Sequence, residues 1–294
     1  MLTLVFEDRP EPPGAEPARV VNEWRDEAGH VFATGSAGTR HRWIHWRGLG
    51  TFRFSLHSHD VHFCADRGVD RFRAADAFAR IIQPLVLQAQ GLPAFHASAV
   101  AGPDGALIFC GLTFSGKSTL AFAVGAEPDF QQIADDAVVV RPHTGDTFTV
   151  EPIPFRPRLR PSAAGFFGER APSATSITRI ATPVQRQLRA VITLAQSTGD
   201  TGIGPAGLTP VAPAAAFRVL LMHAHCFDDG DRTSMGPMVQ TYLAMAASVP
   251  VYQLTYRPDF DALPSLVSLI TGITGITGTT AITRVAAAAS IPTA

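Results

Sequence analysis

The chain has 294 residues, 46% hydrophobic and 17% charged, with 24 basic and 25 acidic side chains and a formal net charge of −1. That length holds one large domain, or a medium domain with a small companion, and the composition excludes a wholly disordered chain. A near-neutral balance excludes a global field that would recruit nucleic acid, so a small molecule or a protein surface is the expected partner. Cys64, Cys110 and Cys226 are scattered and odd in number, which argues for a reducing compartment and against a disulfide framework or a cysteine zinc site. The first residues lack a basic stretch followed by a long apolar run, and no run of about 18 apolar residues occurs, so neither a signal peptide nor a membrane span is expected. Cytoplasm is the expected compartment.

In chain order, Arg9 to Pro17 is proline-rich and predicts a loop or extended arm. Val31–Thr34, Arg42–Trp46, Phe52–His57 and Val61–Phe63 have strand chemistry. Phe52, Phe54 and Leu56 alternate with Arg53, Ser55 and His57, the period of a half-buried strand, and together these runs predict a small antiparallel sheet. Apolar residues at Phe72, Ala75, Phe78, Ile81, Ile82, Leu85 and Val86 then predict a helix that Gly91 stops and Pro84 can kink.

His96–Ala101 and Ala106–Cys110 read as two strands joined by Gly102-Pro-Asp-Gly105, hence an antiparallel hairpin. Between the second strand and a helix opening at Thr119 lies Gly111-Leu-Thr113-Phe114-Ser115-Gly116-Lys117-Ser118. This is the G-x-x-x-x-G-K-[ST] pattern in the strand–loop–helix setting that makes it a physical phosphate site. Backbone N–H groups there can surround an anion. Lys117 would reach the β- and γ-phosphates, and Ser118 would bind Mg²⁺. Lys117 is the only lysine in a chain that otherwise uses arginine; a tight loop needs a compact point charge rather than a planar guanidinium. The bland alternative is a chance match in a glycine-rich chain.

Phe130–Ala134 predicts a third strand ending in Asp135-Asp136, roughly 18 residues past Lys117, with Ala137–Arg141 continuing it and Thr147–Val150 returning; the sheet is therefore mixed. One carboxylate can hold Mg²⁺; the second can accept the proton of an attacking hydroxyl. The bland reading is an Asp-Asp turn. Residues 151 to 190 contain Glu151-Pro-Ile-Pro-Phe-Arg156-Pro-Arg158-Leu-Arg160-Pro161, whose prolines exclude regular structure there, and Arg156, Arg158 and Arg160 alternate along an extended segment. Alternation would place all three on one side, to meet charge on a transferred phosphoryl group or to grip an acidic ligand; a solvated charge run is the plain alternative. Leu188–Leu194 predicts a strand, Thr198–Gly207 a loop, Pro213–Met222 and Gly236–Ser248 helices, and Val251–Tyr256 a strand. Asp259 or Asp261 caps a last helix through Ile270, before a low-complexity tail. His57, His59 and His62 tempt a metal reading, but surface histidines on a sheet fit better; His223 and His225 near a helix end are ambiguous.

These pieces resemble the HPr kinase/phosphorylase C-terminal domain and its stand-alone related serine kinases. His96 opens a strand before the loop, residues 111–119 match the family's G-x-[ST]-G-x-G-K-[ST] loop approximately, and Ile133-Ala-Asp135-Asp136-Ala-Val138 matches its A-D-D-x-V stretch. The resemblance covers residues 94 to about 195 and extends weakly to Tyr256–Asp259. It implies an α/β, P-loop, HPr-kinase/PEP-carboxykinase-like mixed sheet over 94–270, after a small β-rich domain over 1–93 and before a tail over 271–294. It implies that Gly111, Thr113, Ser115, Gly116, Lys117, Ser118 and Thr119 hold ATP, that Ser118 and Asp136 hold Mg²⁺, and that Asp135 is the general base with His96 tuning the carboxylate pair. Arg156 and Arg158 would join the catalytic set. Phe114 changes the rim of the phosphate pocket, Thr119 stands where authentic members carry glutamate, and a proline–arginine segment replaces their glycine-rich one. These departures bear on phosphorylase activity and on HPr as acceptor. The expected activity is Mg²⁺-ATP-dependent phosphorylation of a serine-type hydroxyl on a protein, a peptide such as a lasso-type precursor, or a small molecule, with homo-oligomers implied by the resemblance. A nucleotide-binding regulatory module and a plain ATPase are the rival expectations.

Overall fold

A computed structural model describes residues 2–8, 16–151, 153–172, 185–197 and 206–274. The predicted loop at 9–17 and the tail beyond 274 lie wholly or largely outside them. The chain divides into two units, residues 1–94 with 225–240, and residues 95–224 with 241–294.

The first unit is a six-stranded sheet in the order β1-β6-β5-β4-β3-β2, built from β1 (Thr3–Glu7), β2 (Arg19–Arg25), β3 (Val31–Ala37), β4 (Arg42–Trp46), β5 (Gly50–Phe54) and β6 (Asp60–Ala65). Strands β2 to β6 form the antiparallel meander that alternation predicts. The expectation of a wholly antiparallel sheet is corrected by β1, which joins β6 in parallel, with Thr3 opposite Asp60 and Glu7 opposite Cys64. β1 and β2 are strands that a reading of local patterns passes over. The expected strand through His57 stops at Phe54, so His57 and His59 sit in the exposed loop before β6, while His62 Nδ1 lies 2.7 Å from Glu7 Oε1.

Phe52, Phe54, Val61 and Phe63 point to one side and pack with Ile82, Leu85 and Val86. Those three come from one helical run: α1 (Arg71–Ala77), a π-turn over Phe78–Ile82, and α2 (Gln83–Ala89). The Asp70 carboxylate caps the start by accepting from Arg73 N at 2.8 Å. The expected Pro84 kink takes the form of the π-turn: proline has no N–H and crowds the carbonyl four residues back, and the widened turn, in which Gln83 N donates to Phe78 O, absorbs this. Residues 225–240 add Phe227, whose ring meets Phe54 edge-on at 5.3 Å, while Asp228 pairs with Arg19 at 2.6 Å.

The second unit holds a nine-stranded mixed sheet. Its strands are β7 (Ala94–Phe95), through which the chain enters, β8 (Ala97–Gly102), β9 (Gly105–Gly111), β10 (Gln131–Ala134), β11 (Val138–Pro142), β12 (Phe148–Glu151), β13 (Arg186–Gln196), β14 (Ala206–Pro210) and β15 (Val251–Tyr256). The main order is β10-β8-β9-β13-β12-β11-β7, with β15 pairing β13 and β14. The β8–β9 hairpin is antiparallel as expected, with Ala97 opposite Cys110 and Gly102 opposite Gly105. On its other side β9 runs parallel to β13, and β13 parallel to β15. Residues 138–142 do not continue β10 as expected: Asp136 takes a left-handed φ of 63°, and the chain leaves β10 for a separate strand pairing β12.

Helices α3 (Lys117–Gly125) and α7 (Leu263–Thr274) bury Leu120, Val124, Leu266 and Ile270 in the same core as Phe109, Ile192 and Leu254 of the sheet. α7 runs one turn past the expected Ile270. A helix absent from the expectation, α4 (Pro161–Phe167), follows the arginine segment. The proline that argued against regular structure occupies the first helical position, where its missing N–H costs nothing. α5 (Pro213–Met222) follows expectation, and α6 (Arg232–Ser248) begins before Gly236, with its first part in the first unit and the rest in the second.

All three tryptophans, Trp24, Trp43 and Trp46, belong to the first unit, so tryptophan emission reports that unit alone. Phe52 is fully buried with its ring 4.4 Å from that of Phe63. Phe52→Ala is expected to destabilise the emission-detected urea transition by about 3–5 kcal/mol; a change below about 1 kcal/mol would show that Phe52 is not at the centre of this core.

Candidate phosphate-binding site

Strand direction assembles the site. β9, β13 and β15 are mutually parallel, so Gly111, Gln196 and Tyr256 finish at the same edge of the sheet. β8 runs antiparallel to β9 and begins there, which adds His96 and Ser98, and β10 runs antiparallel to β8 and ends there, which adds Asp135. The loop 112–116 lies on these strand ends. Gly116 caps α3 with a left-handed φ of 88° and offers the helix's first N–H groups no side-chain cap. A Cβ at Gly116 would stand 2.5 Å from the Tyr256 hydroxyl, so glycine is required twice over, by conformation and by space. Tyr256 in turn donates its hydroxyl to the Ser115 carbonyl.

Lys117 is buried, and its ammonium donates to the carbonyls of Gly111 at 2.9 Å and Leu112 at 3.1 Å. Burial holds its pKa below the usual lysine value. Among the described residues, Ser115 Oγ is buried without a hydrogen-bond partner, and Thr113 is exposed on the loop while Thr119 sits in the first turn of α3.

Asp135 is the junction of the site. Its Oδ1 accepts from Ser98 Oγ at 2.7 Å, Ser118 Oγ at 2.8 Å and Asp136 N at 3.2 Å, and its Oδ2 accepts from Arg158 N at 3.1 Å. The carboxyl is 2% exposed. Burial, then the neighbouring Asp136 charge, push its pKa up to about 6, against the opposing hydrogen bonds from Ser98, Ser118 and Arg158. His96 Nδ1 lies 3.1 Å from the Asp136 carbonyl; a carbonyl only accepts, so Nδ1 carries the proton. Burial, then the Lys117 charge, lower the His96 pKa.

The three arginines do not share one side as alternation suggested. Arg156 is buried, whereas Arg158 and Arg160 are exposed. Arg158 reaches Asp135 through its backbone, and the Arg160 guanidinium stacks on the Phe114 ring at 3.4 Å from the centroid. Ser98, Tyr256 and Gln196 were not singled out as site residues in the sequence, and His223 was left ambiguous. Ser98 was visible as the lone hydroxyl inside an apolar strand. Tyr256 and Gln196, whose Nε2 donates to the Phe114 carbonyl at 3.1 Å, carry no local signal because only strand order brings them here. His223 is buried, and its carbonyl accepts from His96 N at 2.7 Å; burial, then Lys117 and His96, push its pKa down to about 4. Cys110 precedes the loop, but burial drives its thiol up to about 12, which makes it inert.

No family model matches the chain, and no curated protein matches it. Among solved structures it is similar to the HPr(Ser) kinase/phosphatase from Coxiella burnetii, with 11% identity, 61% of this chain and 94% of that chain covered, and a TM-score of 0.33. At that depth the likeness is weak, and the functional reading rests on the geometry of the site itself.

The raised Asp135 pKa has a signed consequence. The folded state binds this proton more tightly than the unfolded chain, so the carboxyl favours folding below about pH 3.8 and loses that contribution as pH rises through about 6. Without divalent cations, the wild type is expected to lose on the order of 3 kcal/mol relative to Asp135→Asn across that window. Urea midpoints by far-ultraviolet circular dichroism check it, and a pH-independent difference between the two proteins would remove the buried neutral carboxyl.

Proposed function

We propose that the second unit is a Mg²⁺-ATP-dependent phosphotransferase acting on a hydroxyl acceptor. The observation that carries this reading is the bond from Ser118 to Asp135. It joins the last residue of a complete phosphate-loop motif to a carboxylate at the end of a neighbouring strand and leaves a second carboxylate beside it. A site that only gripped a phosphate has no use for two adjacent carboxylates.

The residues fit a nucleoside triphosphate with its metal. The helix N-terminus lacks a side-chain cap, and Lys117 is held by carbonyls that a phosphate can replace as partners. Ser118 and Asp135 supply hard oxygen donors of the kind Mg²⁺ takes. Bound Mg²⁺ would neutralise phosphate charge while the γ-phosphoryl group moves.

The hydrogen bonds favour exchanging the two aspartates between the roles the family resemblance implies. Asp135 is saturated by four donors and tied to Ser118, which suits a carboxylate that supports metal. Asp136 is less buried and follows it in a left-handed turn, which suits the base that takes the acceptor's proton. His96 fixes that turn through the Asp136 carbonyl. Lys117 and the helix N-terminus hold the β- and γ-phosphates. A serine-type hydroxyl on a protein, a peptide such as a lasso-type precursor, or a small molecule is the acceptor class this chemistry serves.

Intact-mass analysis with Mg²⁺-ATP and candidate acceptors (free serine, an HPr-type carrier, a short precursor peptide) tests this. A gain of about 80 Da on one acceptor, absent with Lys117→Ala, is the expected result. Asp136→Asn should reduce transfer about 10²–10⁴-fold while nucleotide still binds, and Asp135→Asn should weaken Mg²⁺-dependent nucleotide binding as well. ATP binding with neither transfer nor hydrolysis would replace the transferase with a regulatory nucleotide module. Hydrolysis with no acceptor modified would make it an ATPase.

A further inference from the structure

Phe114 stands at the tip of the phosphate loop with a φ of 74°. Among the described residues, the other non-glycine residues with positive φ are Asp129 and Asp136, a residue type that tolerates this region. A bulky aromatic residue does not, and glycine would occupy the position without steric cost. Burial does not compensate, because the side chain is 62% exposed. Neither local conformation nor the hydrophobic effect therefore accounts for phenylalanine here.

What the ring does touch is Arg160. The guanidinium carbon lies 3.4 Å from the ring centroid, the distance of a stacked pair. Both partners are fixed from outside the pair. The Phe114 carbonyl accepts from Gln196 at the end of β13. Arg160 is the N-cap of α4, its carbonyl accepts from Ala164 N at 2.8 Å, and Pro161 follows it. Two residues earlier, Arg158 N is bonded to Asp135. The arginine segment is thus tied at one point to the carboxylate of the site and at the next to the rim of the phosphate loop. Among the described residues, Arg160 makes no ion pair with a carboxylate. Stacking occupies the flat face of a guanidinium and leaves its in-plane N–H donors available to an anion.

We propose that Phe114 is a positioning residue that holds Arg160 over the phosphate loop, and that Arg160 is the cation reading the terminal phosphate of a bound nucleoside triphosphate. The proposal rests on the nucleotide reading above and deepens it. The loop discriminates triphosphate from diphosphate through an aromatic-held arginine. Arg156, being buried, is not that cation.

The test is the ratio of Mg²⁺-ATP to Mg²⁺-ADP affinity, measured by calorimetry, alongside thermal unfolding. Arg160→Ala is expected to lose about tenfold or more of the preference for ATP, the loss of one charge-assisted hydrogen bond, with ADP affinity little changed. Phe114→Gly relieves the left-handed strain, so its melting temperature should equal or exceed the wild type's, yet it should lose the ATP preference to a similar extent. Phe114→Trp should restore it, and the double variant Phe114→Gly/Arg160→Ala should be no worse than Arg160→Ala alone. If Phe114→Gly keeps the wild-type ratio, or if Arg160→Ala does, the proposal is overturned. Lys117→Ala separates this from failure of the underlying reading. If that variant binds both nucleotides as well as the wild type, the loop is not a nucleotide site at all.

Discussion

The second unit depends on one buried carboxylate. Asp135 accepts hydrogen bonds from β8 through Ser98, from α3 through Ser118, and from the arginine segment through Arg158 N. Burying a carboxylate is costly, and the cost is tolerable only when its oxygens are satisfied. The same bonds that make the burial tolerable register three separate chain segments against the end of β10. The site is therefore not assembled residue by residue. The phosphate loop, the hairpin strand and the arginine segment become ordered around a common acceptor, and each gives the others their place.

Sheet direction does the rest of the positioning. Parallel neighbours β9, β13 and β15 end at one edge, and the hairpin brings the start of β8 to that edge. Strands are stiffer than loops, so residues at their ends are held more closely than residues on a loop alone. Gly111, Gln196 and Tyr256 use this. The first begins the phosphate loop, and the other two grip its backbone at Phe114 and Ser115. The carbonyls of Phe114 and Ser115 are thus held from behind, a form of preorganisation of the loop backbone.

The first unit uses alternation for two purposes. The inward row Phe52, Phe54, Val61 and Phe63 packs on the helical run. Arg53 and His62, one residue out of phase and opposite each other in register, both meet Glu7 of the parallel edge strand. The parallel β1–β6 pairing thus brings an acid to two basic groups on neighbouring strands. A charged cluster on an edge strand also discourages pairing with a further chain.

How much of this was legible depends on the range of the interaction. The phosphate loop, its hairpin and the Asp135-Asp136 step were readable because their signals are local: glycines and a lone lysine at fixed spacing, a four-residue turn, two carboxylates after an apolar run. Helix α4 was misread because Pro161 breaks a helix interior yet opens a helix, and spacing alone does not separate the two. β1 was missed because its partner lies over fifty residues away in the chain, and the break after β10 because aspartate tolerates a left-handed φ without requiring it. By itself the sequence determined that a G-x-x-x-x-G-K-[ST] loop stands at residues 111–118, which strand and helix flank it, and which charged residues stand close along the chain. Only the tertiary structure decided which aspartate Ser118 meets, that Tyr256 and Gln196 support the loop, and that Arg160 rather than Arg156 lies at its rim. The physical reason is that hydrogen bonds and ring stacking act over a few ångströms, and only the folded chain brings residues as far apart in sequence as Ser115 and Tyr256 to that distance.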